Sequence, residues 1–288
     1  MENSHIEWTD HTFNPWIGCT KVSPGCLHCY AEARDQRFGG GEHWGKGAPR
    51  QRTSAAYWKA PFQWNRECRV HGTRLRVFCA SLADVFDDEV NECWRHDLFG
   101  LIRSTPFLDW QLLTKRPEKA KSYLAQLAAD FGGDPETWCF PNVWLGVSVE
   151  DQSRADERIP ILLSIPARVR FLSCEPLLES VSLPFTCFGN GSDTYGRMDG
   201  IHWVICGGES GPGARQMQLT WAYDLKHQCE RAGVAFFMKQ LGSNCMMNLV
   251  AAEGEHFRHF TGPGKGGNLD QLPEQLRVRQ FPNVEVPA

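Results

Sequence analysis

Between residues 75 and 240 the chain alternates short apolar runs with stretches of helical spacing. The apolar runs are Arg76–Ser81, Trp110–Lys115, Val143–Val149, Arg168–Ser173, Ile201–Cys206 and Val234–Met238. Asn91–Ser104, Glu118–Ala129, Ser153–Leu163 and Trp221–Ala232 read as the helices between them. Parallel strands need a long crossover, usually a helix, and strands covered on both faces read as continuous apolar runs. Counting Ile6–Thr9 as a first strand, the sequence predicts an α/β fold with about seven parallel strands. No linker or composition shift divides it, which favours a partial or complete (β/α) barrel over a two-domain doubly wound sheet. The glycine run Gly207-Gly-Glu-Ser-Gly-Pro-Gly213 lacks the dinucleotide fingerprint that a Rossmann sheet would carry.

The barrel domain is expected to span residues 1–243, with two inserted loops at 39–74 and 185–200 and a short helix near Ala55–Trp64. Residues 244–288 read as a C-terminal tail docked on it. Lys265 is followed by Gly266 rather than Ser or Thr, so the glycine-rich 262–267 stretch is no phosphate loop of the nucleotide kind. At 42% hydrophobic and 22% charged residues the composition is that of a soluble globular protein. The net charge of −4 provides no overall attraction for nucleic acid, so any such partner needs a local basic patch. No apolar run approaches the roughly 18 residues of a membrane span, and the first residues lack the pattern of a signal peptide. A cytoplasmic setting follows as an expectation, with the 12 cysteines reduced. Metal or redox chemistry then fits those cysteines better than a disulfide framework does.

One loop concentrates them. Cys19, Cys26 and Cys29 fall within eleven residues, closed by a Cys-x-x-Cys, with the turn formers Ser23-Pro-Gly25 in the middle. Three soft ligands so close suit an iron–sulfur cluster or zinc, and three leave one metal position open. His28, between the last two, keeps a four-ligand zinc site open, and buried thiols packed as small hydrophobes are the plain alternative.

The predicted strand ends are polar. In β/α barrels the active site lies at the C-terminal ends of the strands. Those ends carry Cys19 to Cys29, Ser81 and Asp84, Lys115 and Arg116, Ser148 and Glu150, Glu175, Glu209, and Lys239. Taken singly each is an ordinary cap or surface charge; together beside a three-thiol loop they outline a site. Cys79, Cys174 and Cys206 also fall near strand ends and read as packing. Arg50, Arg52 and Lys59 alternate with Trp44, Tyr57 and Trp58, a mixture that suits phosphate contact and base stacking, or a solvated loop anchored by its rings.

Several motifs in order carry a resemblance. They are Ile6-Glu-Trp-Thr9, Asn14-Pro-Trp16, Gly18 to Cys26 with Cys29-Tyr-Ala-Glu32, Leu113-Thr-Lys-Arg-Pro117, Asn142 to Asp151, Glu175-Pro-Leu177, Gly207 to Arg215, and Lys239-Gln240. Together they resemble the phage Gp37/Gp68 family, which looks like a branch of the radical S-adenosylmethionine (SAM) enzymes. The resemblance implies a radical SAM-like barrel with a [4Fe-4S] cluster on Cys19, Cys26 and Cys29 and SAM on the open iron. The Cys26-x-x-Cys29 half matches that superfamily's motif, whereas six residues separate Cys19 from Cys26. The implied activity is reductive cleavage of SAM to a 5′-deoxyadenosyl radical that takes hydrogen from a substrate. Ser81 and Asp84 are then placed at the SAM amino group, and Ser148 and Glu150 at its ribose or carboxylate. Lys115, Arg116, Glu175, Glu209 and Lys239 are assigned to orienting substrate or moving protons. A nucleic acid or nucleotide is the expected substrate, a flavodoxin or ferredoxin the expected electron donor, and the resemblance leaves room for a further partner protein. A bacterial or phage-infected cytoplasm is the expected setting. The competing readings are a zinc-stabilised nucleic-acid-binding protein without catalysis and a cofactor-free β/α hydrolase using Glu175 and Glu209.

Overall fold

The computed structural model describes residues 2–138, 140–183, 200–251, 254–259 and 264–283. The inserted loop expected at 185–200 lies outside the described residues but for Gly200. The chain clusters into two compact units, Met1–Val147 with Ser164–Arg168, and Ser148–Leu163 with Val169–Ala288.

The first unit opens with β1 (His11–Phe13), β2 (Trp16–Ile17), α1 (Tyr30–Phe38), β3 (Gln51–Arg52) and α2 (Ala60–His71). It continues through β4 (Leu75–Cys79), α3 (Glu92–Ser104), β5 (Leu108–Thr114), α4 (Pro117–Asp130) and β6 (Val143–Ser148). β1 pairs parallel with β4, β4 with β5 and β5 with β6, while β2 and β3 form a small antiparallel pair. β5 and β6 are buried almost throughout, as strands covered on both faces must be. Phe13, Trp110, Leu98, Phe99 and Ile102 are among the fully buried side chains of this core. The rings of Phe13 and Trp110 meet edge-on with centroids 5.7 Å apart.

The second unit holds α5 (Gln152–Leu163), β7 (Val169–Cys174), β8 (Trp203–Gly207), β9 (Met217–Gln218) and α6 (Leu219–Ala232). β10 (Ala235–Gln240), β11 (Cys245–Ala251) and β12 (Gly254–His259) follow. β7 pairs parallel with β8, and β8 with β10. β11 pairs with β12 and β9 in a separate three-stranded sheet. Trp203 is fully buried, with Phe171, Phe237 and Phe281 rings 5.3 to 5.9 Å from its own, and its indole N–H donates to the Gln280 carbonyl at 2.9 Å. The tail therefore docks by backbone as well as rings: the Gln280 N–H donates to Phe236 O and the Met238 N–H to Val278 O.

The main strand order is β1-β4-β5-β6-β7-β8-β10, seven strands among the described residues, joined largely through helices in an α/β fold. The order has two ends, β1 and β10, so the described strands do not close into a complete barrel.

Two sequence expectations are corrected. Ile6–Thr9 is bend and turn, and the first strand is His11–Phe13. The alternation that suggested a strand instead buries Trp8 and sends the Thr9 hydroxyl to the carbonyls of His11 and Arg76. Residues 39–74 are not one long loop: they hold β3, and the helix near Ala55–Trp64 runs from Ala60 to His71. Pro61 opens that helix, where a missing N–H costs nothing, and Gly72 ends it in the left-handed region.

Candidate functional site

In the first unit the sequence-predicted residues around the cysteine loop meet. The loop leaves β2 at Gly18, whose φ is +111°. A Cβ there would stand 2.4 Å from the His43 carbonyl oxygen, so only glycine lets the segments approach this closely. The Gly18 N–H donates to Leu82 O, and the Gly45 N–H donates to Cys19 O, fixing both sides of Cys19.

Beneath the loop lies a buried ionic network. Arg116, just beyond β5, donates to Asp84 at 2.9 Å, to the Thr20 carbonyl at 2.6 Å, and approaches the Cys19 sulfur at 3.7 Å. Asp87 lies 3.3 Å from the same guanidinium and also accepts two bonds from Arg50, at 2.6 and 2.9 Å. Arg50 donates further to the Thr20 hydroxyl and to the carbonyls of His43, Gly45 and Ala48. Arg95, on α3, donates to the carbonyls of Val85 and Asp87 and so fastens the segment carrying both aspartates.

Burial, with Asp84 and Asp87 nearby, pushes the Cys19 thiol up to about 12 despite Arg116. Burial also opposes the Arg116 charge, but Asp84, Cys19 and Asp87 outweigh it and hold the guanidinium protonated above its ordinary range. The Asp84 carboxylate already accepts from Phe86 N–H, the Thr114 hydroxyl, Lys115 N–H and Arg116. Asp84 therefore lies where the sequence placed it but serves to hold Arg116. Ser81 exchanges hydrogen bonds with the Asn14 side chain, and its carbonyl accepts the Tyr30 hydroxyl at 2.6 Å.

The basic and aromatic residues of 39–74 are mostly spent on structure. Arg50 is buried in the network just described. Tyr57 stacks on Phe13 and donates to Thr12 O, Trp58 donates to Thr53, and Arg52 lies over the Trp58 ring while pairing with Asp97. Lys59 is exposed.

The second unit holds three further ion pairs at predicted positions. The Lys239 ammonium donates to both Glu175 oxygens at 2.6 and 2.8 Å. Arg215 clasps Glu209 through its guanidinium and its backbone N–H. Glu150, wholly buried, accepts from Arg158 at 2.8 Å, and the same guanidinium donates to the Ser148 carbonyl. Each of these carboxylates faces a cation. The glycines of Gly207-Gly208-Glu209 serve close packing. A Cβ on Gly208 would stand 2.2 Å from Leu241 O, and one on Gly242 2.6 Å from Glu209 O. Cys174 and Cys206 lie opposite one another on β7 and β8, wholly buried, with burial raising both thiols. They are core packing, as expected.

The ten described cysteines are all free thiols. Cys19, Cys26 and Cys29 are half-buried, Cys29 stands at the start of α1, and His28 is exposed. Among the described residues no three His, Cys, Asp or Glu side chains form a group that can hold a metal ion. A single zinc at about 2.3 Å from each sulfur needs thiolates within about 4 Å of one another. A polynuclear cluster binds each thiolate at a different iron, so its ligands need not converge on one point. Three free thiols on one short loop are soft donors of the kind that either zinc or an iron–sulfur cluster takes.

Thr20, Asp87, Arg95, Arg158 and Arg215 were not singled out from sequence. The signal for them was the demand that every buried charge find an opposite one, which names no partner until the chain is folded. Among the described residues no helix is long and apolar enough to cross a membrane. Comparison with curated proteins gives no match, and comparison with solved structures gives none. A family model described as a protein of unknown function, DUF5131, matches residues 3–271. That description carries neither the phage name nor an activity. Over nearly its whole length, from the turn before β1 to the tail, the chain belongs to the DUF5131 family.

Proposed function

We propose that the chain is a radical SAM iron–sulfur enzyme, related to the phage Gp37/Gp68 proteins, that modifies or repairs a nucleic acid or nucleotide. The observation that carries the reading is the cysteine loop itself. Three free thiols sit on one loop, with a buried guanidinium 3.7 Å from Cys19. Cys19, Cys26 and Cys29 would hold a [4Fe-4S] cluster, which together with SAM would supply one-electron reductive cleavage of a carbon–sulfur bond.

The chain's own residues do the rest. Arg116 fixes the position of Cys19 and Thr20 and places positive charge beside a sulfur that must be anionic to bind iron. Asp84 and Asp87 hold Arg116 in place. Ser81 stands at the end of β4 as a hydroxyl oriented by Asn14. Lys239 holds a proton at Nζ, and Glu175 aims it. Arg158 holds the Glu150 carboxylate and the Ser148 carbonyl, which fixes the segment that carries the Ser148 hydroxyl. A flavodoxin- or ferredoxin-like donor would supply the electron, in the cytoplasm of a bacterial or phage-infected cell.

Anaerobic reconstitution with iron and sulfide tests this. The expected result is close to four irons and four sulfides per chain, with release of 5′-deoxyadenosine from SAM on reduction. Ala in place of Cys19, Cys26 and Cys29 abolishes both. Full iron content in that triple variant, or a stoichiometric zinc in its place, overturns the proposal.

A further inference from the structure

The sequence offered residues 39–74 as the nucleic-acid contact, and the structure buries or pairs much of that material. Just before that stretch, α1 presents a surface of the same mixed kind. Tyr30, Arg34, Arg37 and Phe38 stand at i, i+4, i+7 and i+8, so they share one face of the helix. All four are exposed, Phe38 by 71% and Tyr30 by 57%. Large aromatic side chains are costly to leave in water without a purpose, and the neighbouring loop adds exposed Leu27 and Val22.

The arrangement is ordered. The Arg34 and Arg37 guanidinium carbons lie 5.8 and 5.0 Å from the centre of the Phe38 ring. The Tyr30 ring is anchored by its hydroxyl, which donates to Ser81 O. The carboxylates of the same helix are turned to other uses: Glu32 pairs with Lys21, and Asp35 is buried against His43. The exposed face therefore carries cations and rings with no competing anion of its own helix.

We propose that this face of α1 binds single-stranded nucleic acid, with Arg34 and Arg37 on phosphates and Phe38 and Tyr30 stacking on bases. Cations interleaved with aromatic platforms are how such strands are held without sequence preference. An acidic protein would satisfy the arginines but would leave the two rings unexplained. From Tyr30 to Phe38 the helix rises about 12 Å, the length of about three to four stacked nucleotides. The inference deepens the substrate half of the function proposed above and places it beside the cysteine loop.

The test is fluorescence anisotropy of a labelled mixed-sequence single-stranded oligonucleotide with the full chain, without iron or SAM, at several salt concentrations. Because no cofactor is present, failure of the radical SAM reading leaves this outcome unaffected. Phe38→Ala is expected to weaken binding about 5- to 100-fold with the salt dependence unchanged. Arg34→Ala with Arg37→Ala is expected to weaken it and to lower the salt slope by about 1.4. Phe38 is exposed, so its removal should leave the circular dichroism spectrum intact. Absence of oligonucleotide binding overturns the proposal. So does a Phe38→Ala affinity within twofold of the parent, or displacement of the strand by polyglutamate as efficiently as by unlabelled oligonucleotide.

Discussion

His11 begins β1 with its ring 4.4 Å from that of Trp64, and its Nδ1 accepts the Asn3 N–H at 3.1 Å. A protonated ring has no lone pair for that bond. Burial lowers its pKa, and the nearby Asp10 only partly offsets this. In the pH range below about 6.5 the unfolded chain therefore binds more protons than the folded one, and stability falls as pH falls through that window. Urea titrations at pH 7.5 and pH 5 should show a larger loss for the parent chain than for His11→Gln. An equal loss in both would remove His11 from the account. Arg116 gives a second prediction of this kind. Its side chain and that of Asp84 are 6% and 8% exposed, so Arg116→Ala leaves a carboxylate buried without its cation. The expected cost is about 3 to 5 kcal/mol, read as a lower urea midpoint. Replacing Asp84 by Asn in the same chain should recover part of it. The sequence showed that Asp84 and Arg116 belonged near the cysteine loop, because both follow strands. It did not show that they would bind each other, since polar residues at a rim read alike whether they face a ligand or one another.

At the scale of elements the apolar runs and helical stretches between residues 75 and 240 mark real strands and helices, with boundaries shifted by a residue or two. They were legible because burial on both faces demands continuous apolar residues, a pattern that survives without knowledge of neighbours. β1 was missed because it is three residues long and reads His11-Thr12-Phe13, with two polar side chains buried by contacts from elsewhere. The turn after β6 shows what lies beyond pattern. Glu150 read as a cofactor ligand at a strand end, yet it is wholly buried and joined to Arg158 on α5. The pair ties the turn to the helix that follows it. Glu150→Ala should therefore destabilise the fold by about 3 to 5 kcal/mol, through the stranded Arg158 charge. Glu150 and Arg158 replaced together by Gln and Met should cost less than Glu150→Ala alone. If Glu150→Ala is instead as stable as the parent, the pair is not structural and Glu150 returns to the list of ligands.

Across the whole molecule the cysteines sort by what surrounds them. Cys79, Cys174 and Cys206 are fully buried, and burial raises their thiols, so they are neither reachable nor ionised. Cys229 and Cys245 are pushed up to about 12 by the same cause. Cys93 is exposed on α3, and Cys26 and Cys29 are half-exposed on their loop. Alkylation needs a thiolate that solvent can reach. Brief treatment of the native chain with iodoacetamide, followed by peptide mass spectrometry, should thus label Cys93, Cys26 and Cys29. Cys19 should follow slowly, and the six buried thiols, Cys68 among them, should be labelled only after denaturation. The same measurement separates packing from chemistry. If the loop binds a cluster, anaerobic loading with iron and sulfide should protect Cys26 and Cys29 while Cys93 labels at its former rate, providing an internal control. Protection of Cys93 as well would mean general masking or aggregation, and undiminished labelling of Cys26 and Cys29 in iron-loaded protein would place the iron elsewhere. The sequence could count thiols and see three close together. Only the fold, by burying six of the ten described cysteines, leaves that loop as the one stretch among the described residues where three thiols outside the core lie close in sequence.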